Sequence, residues 1–117
     1  MEHFIREVKW TGTEKKVARK AYDKAFERQC TVIATEAKRM LENIADPSDV
    51  WQVEAYLRDQ RKSVDRVYHY SYSDLLQVFS ILMRDGWLKE ADLDGLQQEK
   101  IVEIKEGARS LLRIFRD

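Results

Sequence analysis

The side chains that most often carry bond chemistry are scarce here: two histidines, His3 and His69, and one cysteine, Cys30. His69 lies among Tyr68, Tyr70 and Tyr72. A histidine base needs a nucleophile and an orienting group, and neither is named by the surrounding sequence, so His3 and His69 read as surface or partly packed side chains. Cys30 has no second cysteine to bridge and no companions for a four-ligand zinc site. Its place on an apolar helical stripe makes it a small buried hydrophobe. Glycine-rich phosphate loops, HExxH and CxxC are absent from the sequence. No catalytic or metal site is readable, and no cofactor is implied.

The unusual constellation is made of charges and a tryptophan. Arg61 falls within the apolar stripe of Val50, Val53, Leu57, Val64 and Tyr68, about 20° on a helical wheel from Val50 and about 60° from Val64. A charge so placed must pair or line a surface that a partner covers, because burying it alone is costly. Glu54, Asp65, Arg58 and Trp51 follow in angular order along one edge of the stripe. Two readings stand. One is a salt-bridge network, within the helix or across a dimer. The other is a binding surface, since Trp and Arg are enriched among residues that dominate binding energy.

Long helices must position these side chains. The 117 residues contain only four glycines and one proline, and punctuation that sparse favours a few long helices over many short strands. A compact chain of 13.9 kDa exposes roughly 6,700 Å², enough burial for one domain without disulfide or metal. Lys plus Arg equals Asp plus Glu at 21 each, which argues against a general nucleic-acid binder. Apolar runs of two or three residues predict no membrane insertion, and the start lacks a secretory apolar stretch. The expectation is a cytoplasmic protein.

The first helix is predicted from Thr13 to Ile44, with Thr11 and Glu14 at capping-box spacing. Its stripe is Tyr22, Phe26, Cys30, Ile33, Ala37, Met40 and Ile44, flanked by Val17, Ala21, Ala25 and Leu41. About 32 helical residues reach roughly 48 Å, against a diameter near 35 Å for a domain of this size. The overhanging stripe, Phe26, Cys30, Ile33, Ala37 and Met40 with Val50 and Leu57 from the next helix, therefore calls for a second copy in a two-fold dimer. Asp46 and Pro47 open the second helix. A third helix is expected from Ser73 to Asp85, stopped by Gly86. The last begins between Lys89 and Asp94, with Leu93, Leu96, Ile101, Ile104, Ala108, Leu111 and Phe115 inward and Gly107 as an interior cost.

Trp10, Lys24-Ala25-Phe26, Arg28, Asp49-Val50-Trp51, Tyr56-Leu57, Arg61, Asp65, Tyr68, Phe79, Leu82, Gly86, Lys100 and Ile104-Lys105 share the spacing of a known family. Across Trp10 to about Ala108 the chain resembles the fluorescence recovery proteins of cyanobacteria and their homologues. The resemblance implies an all-α, non-enzymatic antiparallel homodimer, 1–117 forming one helical domain. Its long-helix stalk and dimerisation region would span about 13–70 and its smaller head about 71–117. It further implies binding to the photoactivated red form of the orange carotenoid protein, through that protein's C-terminal domain. That binding would speed return to the orange form and release from the phycobilisome. The carotenoid belongs to the partner.

By the same resemblance, the family's functional tryptophan and arginine fall on Trp51 and Arg61. A histidine and an aspartate of that surface fall on Glu54 and Ala55, and Glu54 is a candidate carboxylate for Arg61. A phenylalanine and a lysine implicated in docking fall on Gln77 and Glu103. The candidate partner or dimer surface is thus Trp51, Glu54, Arg58, Arg61, Asp65, Gln77, Lys100 and Glu103. The inverted charge at Glu103 leaves a different cytosolic client as the alternative.

Overall fold

The computed structural model describes residues 8–116, with side chains through 112. Four α-helices follow in order: α1 at Gly12–Glu42, α2 at Val50–Val67, α3 at Leu75–Arg84 and α4 at Gln98–Arg116. No strand occurs among the described residues, and none of the described helices is long and apolar enough to cross a membrane. Contacts gather into two compact units, residues 26–69 and the remainder, with the division falling inside α1 between Ala25 and Phe26.

The cap expected for α1 forms with Thr11: its Oγ1 accepts from the Glu14 N–H at 3.1 Å, and Glu14 Oε1 accepts from the Thr11 N–H at 3.1 Å. Asp46 opens a short 3₁₀ turn, Pro47–Asp49, rather than α2 directly. Its Oδ1 accepts from the Ser48 N–H at 3.0 Å, while Asp49 Oδ2 accepts from the Asp46 N–H at 3.1 Å. Gly86 ends α3 at φ +89°. The Trp87 N–H reaches Leu82 O and the Gly86 N–H reaches Met83 O, the paired bonds of a left-handed helix stop. The last helix departs most from expectation. Glu90–Leu93 is a 3₁₀ turn and α4 starts only at Gln98, because Gly95 at φ +109° breaks the helical path.

In the unit formed by residues 8–25 and 70–116, α3 and α4 pack together. Leu75, Val78, Phe79 and Leu82 of α3 and Ile101, Ile104 and Ala108 of α4 are buried, as are Leu88, Leu93 and Leu96 of the connection. The α1 face buried here is Ala18, Ala21 and Ala25, whereas Tyr22 of the predicted stripe is only partly covered. Gly107 in mid-α4 has a steric cause: a Cβ there would stand 2.9 Å from Ser80 Cβ and closer still to Ser80 Oγ. That hydroxyl donates to Ile104 O at 3.1 Å and Leu76 O at 3.0 Å, so α3 and α4 meet at hydrogen-bond range through the notch.

Glu14 joins the start of α1 to the start of α4. Only 2% exposed, its carboxylate accepts from the Gln97 N–H at 2.9 Å and from Lys100 Nζ at 3.0 and 3.1 Å. Lys100 Nζ also lies 5.1 Å from the centroid of Trp10, whose Nε1 donates to Tyr72 O at 3.2 Å. Burial alone would push the Glu14 carboxyl up, but the Gln97 and Thr11 N–H groups and the Lys100 ammonium outweigh it and hold the group below its ordinary value. A run of rings continues from Trp10 through Tyr72 and Tyr70 to Tyr22 at centroid spacings of 5.8, 5.4 and 5.0 Å. Arg19 stacks 4.7 Å from the centre of Tyr70. Tyr70 and Tyr72 thus pack along the start of α1, against Tyr22 and Lys15.

In the unit formed by residues 26–69, Val53 is the one described side chain that is fully buried, at 5% exposure. Phe26 meets Tyr68 edge to face at 5.1 Å. Phe26, Val32, Leu41, Val50, Trp51 and Leu57 are all exposed.

Two outcomes follow from the first unit. Gly107→Ala should lower the melting temperature although alanine is the better helix former by about 1 kcal/mol, and Ser80→Gly in the same chain should restore part of the loss. A higher melting temperature for Gly107→Ala alone would refute the close approach of α3 and α4. The ion pair gives a pH signature. A carboxyl depressed in the fold stabilises fully above its unfolded value, near 4.5, and that contribution is lost as pH falls through the lower folded value. Glu14→Gln should cost about 3–5 kcal/mol at pH 7 by stranding Lys100. The gap to the parent chain should close as unfolding is measured from pH 5 down to pH 3, and a constant gap would contradict the assignment.

Candidate functional site

The second unit presents the charged edge expected on α2. Trp51 is 69% exposed, with exposed Val50 and Leu57 on the same helix. Arg58 Nη1 reaches Glu54 Oε1 at 2.9 Å and Oε2 at 3.1 Å. Arg61 Nε reaches both Asp65 oxygens at 3.1 Å. Each arginine therefore takes the carboxylate one turn away, the spacing at which side chains on a helix are neighbours. Glu54 serves Arg58 rather than Arg61. Arg61 is not sunk among apolar groups: its side chain is 78% exposed. The wheel places it near Val50 and Leu57, but that stripe is itself open in the single chain.

The other predicted stripe residues sort by side of α1. Ile33, Ala37 and Met40 are half-buried, whereas Phe26 and Cys30 are exposed. Cys30 is thus not the buried thiol its spacing suggests. It continues the outward shoulder of Phe26, which the chain does not cover.

In the first unit Gln77 and Glu103 are exposed. Glu103 lines an open groove of about 920 Å³ with Leu76, Gln97, Glu99, Val102 and Glu106, closed at one side by Val8 and Lys9. Lys100 corrects the sequence reading. It is 6% exposed and committed to Glu14 and Trp10, so it holds the fold together instead of presenting an outer surface. His69 is exposed, and His3 and Phe115 lie outside the described side chains. Among the described residues no group of histidine, cysteine and carboxylate side chains could hold a metal ion.

On α2, Val50, Trp51 and Leu57 are left in solvent on the helix that carries the Arg58 and Arg61 guanidinium groups. Comparison with known proteins identifies a family. A family described as "Photoprotection regulator fluorescence recovery protein" matches residues 10–108. The fluorescence recovery protein of Synechocystis sp. PCC 6803 is 25% identical over 103 residues, covering 88% of this chain and 94% of that protein. The solved structure of the Fremyella diplosiphon fluorescence recovery protein is 33% identical, with a TM-score of 0.80 over 86% of this chain and 99% of that one. The Synechocystis structure gives a TM-score of 0.80 at 25% identity and the same coverage.

The two ion pairs of α2 should be nearly silent in stability. Exposed pairs at this spacing contribute about 0.3–0.5 kcal/mol, so Arg58→Ala and Arg61→Ala should each leave denaturant unfolding within that margin. A loss of several kcal/mol in either variant would show that the pair braces the fold and is not held in reserve for a partner.

Proposed function

This chain belongs to the fluorescence recovery protein family of photoprotection regulators, and we propose that it acts without bond chemistry, as a homodimer. Its client is the photoactivated red form of an orange carotenoid protein, bound through the C-terminal domain in the cytoplasm. Binding hastens return to the orange form and release from the phycobilisome. The observation that carries this reading is the outer face of α2, where exposed Trp51 stands beside Arg58 and Arg61. A partner that binds one conformer, or the barrier between conformers, more tightly speeds relaxation by differential affinity alone. The exposed apolar side chains Phe26, Val32, Leu41, Val50 and Leu57 support the dimer, since a second copy would take them out of water. Phe26, Cys30, Ile33, Ala37, Met40, Val50 and Leu57 are the residues assigned to the dimer or core stripe.

A second reading is favoured by one feature of the first unit. The groove beside Glu103 carries Glu99 and Glu106 as well, and Gln77 is polar where the resemblance carries an apolar docking residue. Such a surface suits a basic client rather than an acidic one. The chain would then be the same kind of dimer with a different protein partner.

Recovery of photoconverted orange carotenoid protein in the dark, followed optically, separates the two. The expected result is a dose-dependent acceleration, reduced at least tenfold by Trp51→Ala or Arg61→Ala. No acceleration from an intact, folded chain would set aside the first reading in favour of the second.

A further inference from the structure

The exposed side of α1 within the first unit carries mostly one sign of charge. From Lys15 to Lys24 the helix presents Lys15, Lys16, Arg19, Lys20 and Lys24, all exposed, and its one acid in that stretch is Asp23. The buried residues Glu14, Ala18, Ala21 and Ala25 occupy an arc of about 60° on a helical wheel, and the five cations spread over the opposite half. At 1.5 Å per residue the row they form is about 14 Å long. The excess is local, because Lys plus Arg equals Asp plus Glu over the whole chain.

The carboxylates around this row are fewer than its cations. Arg19 holds Asp23 at 3.2 Å, and its guanidinium also lies 5.3 Å from the ring centre of Tyr22 and 4.7 Å from that of Tyr70. Lys15 Nζ lies 5.1 Å from the ring centre of Tyr72. An aromatic face attracts a cation without cancelling its charge, so these contacts direct Lys15 and Arg19 and leave them positive. Lys20 and Lys24 border a pocket of about 260 Å³ that Asp92 and Asp94 also line. Asp92 already accepts from the Lys89 N–H at 2.9 Å.

We infer that this basic arc of α1 docks an acidic surface of another protein, on the unit that does not carry Trp51. A row of one sign speeds the encounter and rejects surfaces of the wrong sign. Arg19, already oriented by its ring contacts, loses little freedom in taking a carboxylate. The arc suits a protein better than the other polyanions. A helix lying in a bilayer surface sinks an apolar face into lipid. Here Ala18, Ala21 and Ala25 are covered by the fold itself, and no large apolar side chain is exposed between Lys15 and Lys24. A nucleic acid carries phosphate on past the ends of so short a row, and a chain of zero formal charge has no excess to follow it.

The test titrates the full chain into a fluorescein-labelled oligoglutamate peptide and follows anisotropy. Two triple variants share one net charge: Lys16→Glu, Lys20→Glu and Lys24→Glu within the arc, and Lys38→Glu, Lys62→Glu and Lys89→Glu outside it. All six lysines are exposed, so both variants should melt as the parent does; if the arc variant does not, Gln at the same three positions takes its place. The expected result is binding by the parent, at least tenfold weaker binding by the arc variant and a change of less than twofold in the control. The parent's affinity should also fall as salt rises from about 50 to about 300 mM. Equal losses in the two variants, or no binding by the parent, overturn the inference. Tighter binding to phosphatidylserine-containing vesicles or to a DNA duplex overturns the choice of a protein partner. Salt-sensitive self-association without peptide, seen by sedimentation velocity and lost in the arc variant, overturns it in favour of a second copy, with Glu99, Glu103 and Glu106 as the acids.

Discussion

A single carboxylate sets the geometry of the α3–α4 unit. Glu14 receives the Thr11 N–H at the start of its own helix, the Gln97 N–H at the start of α4, and the Lys100 ammonium. Both helix starts are the positive ends of their dipoles, where an anion is stabilised. The group is almost wholly out of water, and a buried carboxylate that lost its partners would cost several kcal/mol. All its bonds must therefore form together. That requirement fixes where α4 begins against α1, and Trp10 closes over the lysine side of the pair. Once α4 is placed, the notch between Gly107 and Ser80 determines how near α3 can come.

Downstream of that anchor the character of α1 changes. Up to Ala25 its buried face is alanine, which permits close approach, and the aromatic run of Trp10, Tyr72, Tyr70 and Tyr22 packs along it. From Phe26 onward no described side chain of the helix is buried, and Phe26, Val32 and Leu41 are exposed. Continuity of the helix hides a discontinuity in what stabilises it.

Much of this is legible in the residues. The scarcity of glycine and proline, the Thr11–Glu14 spacing, the Asp46-Pro47 start and the Gly86 stop lead to four helices, and the angular order of Trp51, Glu54, Arg58, Arg61 and Asp65 leads to one exposed edge of α2. What is not legible is long-range. Local spacing shows Glu14 as a cap, but its other partners lie 83 and 86 residues away. Lys100 stands four residues from both Leu96 and Ile104, at the spacing of the buried stripe, but the carboxylate that permits a lysine there is 86 residues away. Leu93 and Leu96 keep helical spacing with Ile101 and are buried as expected, which masks the turn at Gly95 that delays α4. Cys30 reads as interior because its stripe is apolar, yet periodicity shows only that a face exists and not whether the same chain covers it.

Under the function proposed above, the edge of α2 would divide the work of recognition unequally. Arg58 and Arg61 already hold carboxylates, so a client carboxylate would exchange one ion pair for another and gain only the difference. Their value lies in direction, since a guanidinium already oriented loses little freedom on docking and penalises a partner with the wrong charge. Trp51 has no comparable competitor. Burying the part of its ring that now faces water would remove on the order of 100–150 Å², about 3–4 kcal/mol. In any complex that covers this face, Trp51 should therefore dominate the affinity, while the arginines decide which surface is accepted. Under the function proposed above, the tryptophan would tolerate a range of clients and the charged pairs would narrow it, so changes of partner would be written first in charge.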